Sequence, residues 1–486
     1  MKFGVFDHTD SSTTFNADTG GIGGHPKGLT TLFFTEFWER FSYYGMRAIL
    51  TLFMVAKVAD GGLGLDVATA AAIYGFYTAA VFFMGIPGGW IADRLLGQRN
   101  AVLYGGILIA MGHYSLAIDS RPSFYAGLVL IVLGTGLLKP NISAIVGQLY
   151  SADDNRRDAG FSIFYMGINM GAFFSPLVCG TLGERVGWHW GFGAAGVGMT
   201  LGLIQYVLGG SRLGNAGILR EKPKDAGLLW GKLTLGVLAL VAVFYFLWDY
   251  RDYVLLAGSI GVFWSLLRQG RDPVERKRIW AIIAFFVFAM LFWAGFEQAG
   301  SSLTLFAKDF TDNSVFGWQF PASYYQSVNP LGIFALAPLF AWLWVRWGKR
   351  QPSSPAKFMF GLVFLSLGFL VITGAAFVSA QDGNSRVSPM WLIGGYVLHT
   401  IGELCLSPVG LSTVTKLAPQ RLVGSMMGVW FLATSLGNFI GGRIAGLFET
   451  FPLPQLFGAV CLTTGASAII LLFLIKPIRN LMGGVH

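Results

Sequence analysis

Apolar runs of about 18–25 residues recur along the chain at near-regular spacing, divided by short polar segments carrying Gly and clustered Lys or Arg. Each run is long enough to cross a ~30 Å hydrocarbon core as a helix. The pattern predicts spans 1–6 near residues 32–56, 68–91, 101–118, 124–150, 160–182 and 190–208. Two further spans follow near 228–248 and 253–267. Spans 7–12 lie near 279–307, 322–347, 358–380, 390–416, 422–448 and 455–475. The expected architecture is an all-α polytopic membrane protein with fourteen transmembrane helices, arranged six plus two plus six. Its parts are a tail at 1–28, a six-helix bundle at 29–212, a two-helix linker at 213–278, a second bundle at 279–476 and a tail at 477–486.

Composition strengthens this reading. Hydrophobic residues make up 54% of the 486 and charged residues 12%, against roughly 25% charge in soluble domains. The mean hydropathy is +0.59. A net charge of +9 would suit nucleic acid if it were concentrated, but the cations sit in short clusters between apolar runs. With the N-terminus inside, the inner segments collect about 23 Lys and Arg, among them Arg156–Arg157, Arg220/Lys222/Lys224, Arg276–Arg278 and Lys349–Arg350, against about 6 outside. An odd span count or the opposite start would lose that asymmetry, so both termini are expected in the cytoplasm. Residues 1–28 lack the apolar core of a signal peptide, so an uncleaved first helix is expected. Cys179, Cys405 and Cys461 are isolated and apolar in setting, with neither metal spacing nor a disulfide framework. The linker pair carries charges only near its ends and reads as structural.

The informative residues are charges inside apolar runs, where each costs at least ~2.5–3.5 kcal/mol at the bilayer centre. Glu36, Glu39, Arg40, Tyr43, Tyr44 and Arg47 fall within an arc of roughly 140° on span 1. Lys139, Glu297 and Glu403 add charges to spans 4, 7 and 10. A lone Glu36–Arg40 pair at i,i+4 would suit a structural ion pair; seven ionisable groups on four spans exceed what stability requires. Three cations offset three of the four carboxylates. The fourth, in low dielectric, is suited to hold a proton, and a zwitterionic ligand leaves that imbalance intact. Arg47 and Glu297 lie at matching depth, which suggests a bridge closing an outer gate.

Around the charged stripe, Glu36-Phe-Trp-Glu39-Arg40-Phe-Ser-Tyr43-Tyr44-Gly45 matches the motif ExxERFxYYG. Phe164-Tyr165-Met-Gly-Ile-Asn169 matches FYxxIN, and Gly88 to Arg99 resembles a characteristic loop between spans 2 and 3. With these motifs in order, the chain resembles the proton-dependent oligopeptide transporter family of the major facilitator superfamily over nearly its whole length. The two-helix insert resembles that of bacterial members. The resemblance implies the major facilitator fold, an inner-membrane location, a monomer, and import of di- and tripeptides with protons. It implies that Arg40 and Lys139 hold the peptide carboxylate, and that Tyr43 and Tyr44 line the pocket. Asn169, Asn329 and Glu403 would hold the amino end, Trp430 would pack on side chains or gate the inner side, and Glu36, Glu39 and Glu297 would couple the proton. Tyr77 and Ser407 are counted with the substrate set. Animal members carry a histidine in span 2; this span has Tyr74 and Tyr77 instead, which puts coupling on carboxylates.

Other features read more plainly. His399 and His113 are taken as packing histidines, with a proton relay the sharper alternative for His399. Asn329-Pro330 and Lys139-Pro140 are expected to kink their helices. Walker A and HExxH motifs are missing from the sequence, so no cofactor or metal is expected. Uptake of another small anion or metabolite is the alternative carrier reading, and a non-transporting nutrient receptor the alternative of another class.

Overall fold

The computed structural model describes residues 18–151, 154–219, 225, 227–229, 231–232, 234–235, 251–270, 272–383, 385–419 and 423–483. The basic cluster at 220–224 and most of the span expected at 228–248 lie outside the described residues.

Helix succeeds helix. They are α1 Lys27–Val55, α2 Val67–Phe83, α3 Gly85–Ile91, α4 Gln98–Leu116, α5 Arg121–Gln148, α6 Arg157–Thr181, α7 Trp188–Leu208, α8 Arg251–Gln269 and α9 Pro273–Phe296. There follow α10 Ser302–Phe310, α11 Val328–Trp347, α12 Ser354–Gln381, α13 Pro389–Leu417, α14 Val423–Ala445 and α15 Leu453–Met482. A two-residue hairpin, β1 Ser314–Val315 with β2 Trp318–Gln319, interrupts them. Among the described residues nine helical segments are long and apolar enough to cross a membrane. α1 falls outside that set although it has 29 residues, because the polar stripe raises its charge. The series is consistent with fourteen spans and with an all-α polytopic fold.

Helix starts follow local chemistry. Asp272 caps α9 by accepting the Glu275 N–H at 2.8 Å, with Pro273 next to it. Ser388 caps α13 by accepting from Met390 at 3.3 Å.

One expectation needs correction, and two spans show a break that was not expected. Span 2 runs as one apolar span, Val67–Leu96, but its helix is broken for one residue where α2 ends at Phe83 and α3 restarts at Gly85. Span 7 likewise runs as one apolar span, Pro273–Phe310, within which the long helix α9 ends at Phe296. A 3₁₀ turn, Glu297–Gly300, then leads to α10, so Glu297 stands at a helix end. Asn329-Pro330 does not kink an interior. It occupies the first turn of α11, directly after a 3₁₀ segment, Ala322–Ser327, where a proline's missing N–H would be an orphan donor anyway. Pro140, by contrast, lies inside α5 as expected.

The helices pack into two compact units. The first comprises 1–66, 84–219 and 303–334; the second comprises 67–83, 220–302 and 335–486. In the first, α4 and α5 approach through glycines: a Cβ on Gly105 would lie 2.6 Å from the Gly134 carbonyl. Around them Leu32, Ile109, Leu138, Ile142 and Met199 form a buried core. In the second, α2 lies against α14 so closely that a Cβ on Gly75 would be 2.8 Å from the Gly442 Cα. Ser435 Oγ there donates to the Ala79 carbonyl at 2.8 Å.

Candidate substrate and proton site

α1 supplies the densest buried charge. Glu36, Glu39, Arg40 and Arg47 are all buried. Arg40 Nε lies 3.2 Å from Glu36 Oε1 and also donates to Glu39 Oε2. One guanidinium thus holds two carboxylates. Among the described residues Glu36 Oε2, Glu39 Oε1 and Arg40 Nη2 have no hydrogen-bond partner. Buried polar atoms are rarely left so, because desolvation without a partner costs roughly 1–3 kcal/mol. The cluster therefore has unused acceptors for a proton and an unused donor for an anion. Lys139 on α5 is near enough to act on Glu36 electrostatically.

Aromatic rings fix the cations. The Arg40 guanidinium sits over the Tyr43 ring at 5.3 Å and that of Arg47 over Tyr44 at 5.5 Å. The two rings meet edge to face at 5.2 Å. An Arg over a ring face gains cation–π attraction and is held in one orientation.

α6 backs this cluster. A Cβ on Gly171 would lie 2.3 Å from the Phe37 carbonyl, so only glycine lets α6 reach α1 there. Asn169 is buried and donates to Tyr165 O of its own helix at 3.0 Å. The 88–99 loop is also structural. Ala92–Leu96 forms a π turn, closed by Gly97 at φ 77°. Arg99 then donates from Nε to Ala216 O at 2.6 Å, while its backbone N–H reaches Gly217 O at 3.0 Å and its carbonyl accepts from the Tyr206 hydroxyl at 3.1 Å. The loop therefore clamps the chain that follows α7.

Asn329 belongs to the first unit as well, in the first turn of α11. The second unit holds the others. Tyr77 is buried on α2 and Glu297 in the turn after α9. Glu403 and Ser407 lie one turn apart on α13, and Ser407 Oγ has no hydrogen-bond partner among the described residues. Trp430 on α14 is buried, meets Phe358 edge to face at 6.1 Å, and covers Gly410, where a Cβ would fall 2.0 Å from its ring. His399 packs in an aromatic nest, 4.8 Å from the Phe369 ring centroid. His113 is fully buried, and neither ring nitrogen has a partner among the described residues.

The structure adds a clasp that the sequence did not reveal. Glu184 Oε2 accepts the Ala322 N–H and Oε1 the Ser323 N–H, both at 3.0 Å. Thr181 and Tyr324 hydroxyls meet at 2.7 Å, and Ser327 Oγ donates to Phe173 O at 2.8 Å. α6 and the turn after it thus hold the 322–327 segment at its amino end, where a carboxylate is favoured by the helix dipole. Nothing local marks Glu184, because its partners are 138 and 139 residues away.

Comparison with known proteins agrees with this arrangement. Residues 99–459 match the family model described as the POT family. The chain is 42% identical over 492 residues to the peptide transporter YePEPT of Yersinia enterocolitica, covering 95% of this chain and 96% of that one. It is 40% identical over 487 residues to a di-/tripeptide transporter of Lactococcus lactis, covering 95% and 98%. A solved variant of a peptide transporter POT in complex with alafosfalin superposes with a TM-score of 0.89 at 43% identity, covering 98% of this chain and all of that one. A family match over most of the length, relatives above 30% identity and the charged cluster of α1 agree: the chain belongs to the POT family, and its fold is that of the family's transporters.

Proposed function

We propose that the protein imports di- and tripeptides together with protons by alternating access between two six-helix bundles, 29–212 and 279–476. The observation that carries this reading is the α1 cluster, one guanidinium shared by two buried carboxylates with oxygens left unbonded. Protonating one carboxylate neutralises the cluster's surplus charge, and the Arg40 Nη2 donor then suits a peptide carboxylate. The names of the relatives as peptide and di-/tripeptide transporters support the substrate class.

In this reading Arg40 and Lys139 take the peptide carboxylate, with Tyr43, Tyr44 and Tyr77 along the backbone. Glu403, Asn169, Asn329 and Ser407 take the amino end, and Trp430 borders the side chain. Glu36, Glu39 and Glu297 couple the proton, with Arg47 and Glu297 as an outer gate. The protein works as a monomer in the inner membrane of a bacterium, both termini in the cytoplasm. Energy comes from the proton gradient, in which each charge crossing 100 mV carries about 2.3 kcal/mol.

The test is uptake of labelled dialanine into liposomes, with and without an inward proton gradient, for wild type, Glu403→Gln and Glu297→Gln. Gradient-driven accumulation, lost in Glu297→Gln while exchange persists, is the expected result. Absence of peptide uptake under any gradient would remove peptide as the substrate.

A further inference from the structure

The second unit contains a cavity of about 940 Å³ apart from the residues assigned above to peptide. It is lined by Lys357 in the first turn of α12, Lys416 at the end of α13 and Arg479 near the end of α15, with Gln351, Ser353 and Ser354 beside them. No lining residue is acidic. From 335 to 486 the sequence has only three acidic side chains, Asp382, Glu403 and Glu449. Asp382 follows the far end of α12, about 38 Å along the helix from Lys357.

Lys357 is the decisive residue. It is 9% exposed. Its Nζ donates to Gln351 Oε1 at 2.8 Å and lies 4.4 Å from the Trp344 ring centroid. Both partners are neutral, and no carboxylate pairs with Lys357 among the described residues. Lys416 is near enough to repel it. A buried ammonium beside another cation is costly unless an anion compensates it. The first turn of α12 adds the positive end of a helix dipole, from which Ser353 and Ser354 face the same cavity.

We propose that this cavity binds a phosphate-bearing anion, held by Lys357, Lys416 and Arg479. Its basic loops place it at the inner face, where anionic lipid headgroups are concentrated; free phosphate offers the same chemistry. The site is independent of the peptide reading, since none of its residues belongs to that set.

The test is native mass spectrometry of the detergent-purified full chain with phosphatidylglycerol, phosphatidylcholine of equal chain length, or inorganic phosphate. Wild type should retain phosphatidylglycerol over phosphatidylcholine, or bind inorganic phosphate; the first identifies a lipid headgroup and the second a free anion. Lys357→Gln and Arg479→Gln should each weaken that binding about tenfold, the scale of one charge-assisted hydrogen bond. Lys357→Arg should retain it. Arg479 is exposed, so its variant keeps the test open if Lys357→Gln fails to fold. Equal binding by wild type and Arg479→Gln, or no preference for any of the three probes, would overturn the proposal. Dialanine exchange measured on the same protein reports separately on transport.

Discussion

Gly180 is the point at which one methyl group should loosen the clasp between α6 and the 322–327 segment. A Cβ there would lie 2.0 Å from Ser323 Oγ and 2.9 Å from Ser323 Cβ, whereas carbon atoms prefer about 3.5–4.0 Å. Rotating the hydroxyl away removes the first clash but not the second, so backbone must move. Overpacking of this kind costs about 1–3 kcal/mol, which is roughly 5–150-fold in the equilibrium between closed and opened clasp. The sign is diagnostic. On an isolated helix the same change would stabilise α6 by up to about 1 kcal/mol, because glycine is the poorer helix former. Hydrogen exchange of the Ser323 amide, which is held by Glu184, reads that opening directly. In lipid nanodiscs Gly180→Ala should speed its exchange within that range. Adding Ser323→Gly, which removes the clashing Cβ but keeps the amide, should restore slow exchange. Unchanged or slower exchange in Gly180→Ala, or no restoration in the double variant, would refute the reasoning.

Glu184→Gln keeps one acceptor but loses the charge, so it should free the Ala322 and Ser323 amides by about 1.5–3 kcal/mol; exchange rates at those two amides check it. Arg40→Gln leaves Glu36 and Glu39 buried without their cation and should cost about 3–5 kcal/mol; thermal unfolding in detergent measures this, and adding Glu36→Gln should recover part of it. Swapping Arg47 and Glu297 should partly restore transport lost in either single charge removal, with dialanine uptake as the readout and no recovery counting against the gate. Asp18 accepts the N–H of Lys27 at 2.9 Å and of Gly20 at 3.1 Å. Burial pushes its carboxyl up, but those amides and the charges of Lys27 and Arg156 outweigh it and hold it below the ordinary 3.8. The anchoring is therefore complete above pH 3.8 and lost as pH falls through the lowered value, so the Lys27 amide should lose exchange protection only in that acid range.

What the sequence revealed depended on how local the cause was. Helix bodies were legible because a ~20-residue apolar run has one solution in a bilayer, and the observed helices follow the expected spans closely from α4 to α7 and from α12 to α15. The charged stripe of α1 was legible for the same reason, since any charge in such a run must be accounted for. Glu36 and Arg40 do pair, as an i,i+4 spacing allows. The break before Gly85 and the 3₁₀ turn at Glu297 were not, because hydrophobicity counts residues and cannot tell one helical winding from another. Pro330 misled because a proline at a helix start and one in an interior read alike when the start itself is misplaced. Glu184 and the Lys357 cavity lay out of reach, as each is assembled from segments far apart in the chain.

The division of the chain into two units has a consequence for biosynthesis. The first unit is not contiguous: it is completed by residues 303–334, made long after α6 and α7. A nascent chain that has emerged only as far as Leu219 holds α6 without the segment that Glu184, Thr181 and Gly180 are shaped to receive. Until 303–334 arrives, that surface must be covered by something else, water, lipid or an insertion factor. Halves expressed as separate polypeptides should therefore reconstitute only when the later fragment carries 303–334.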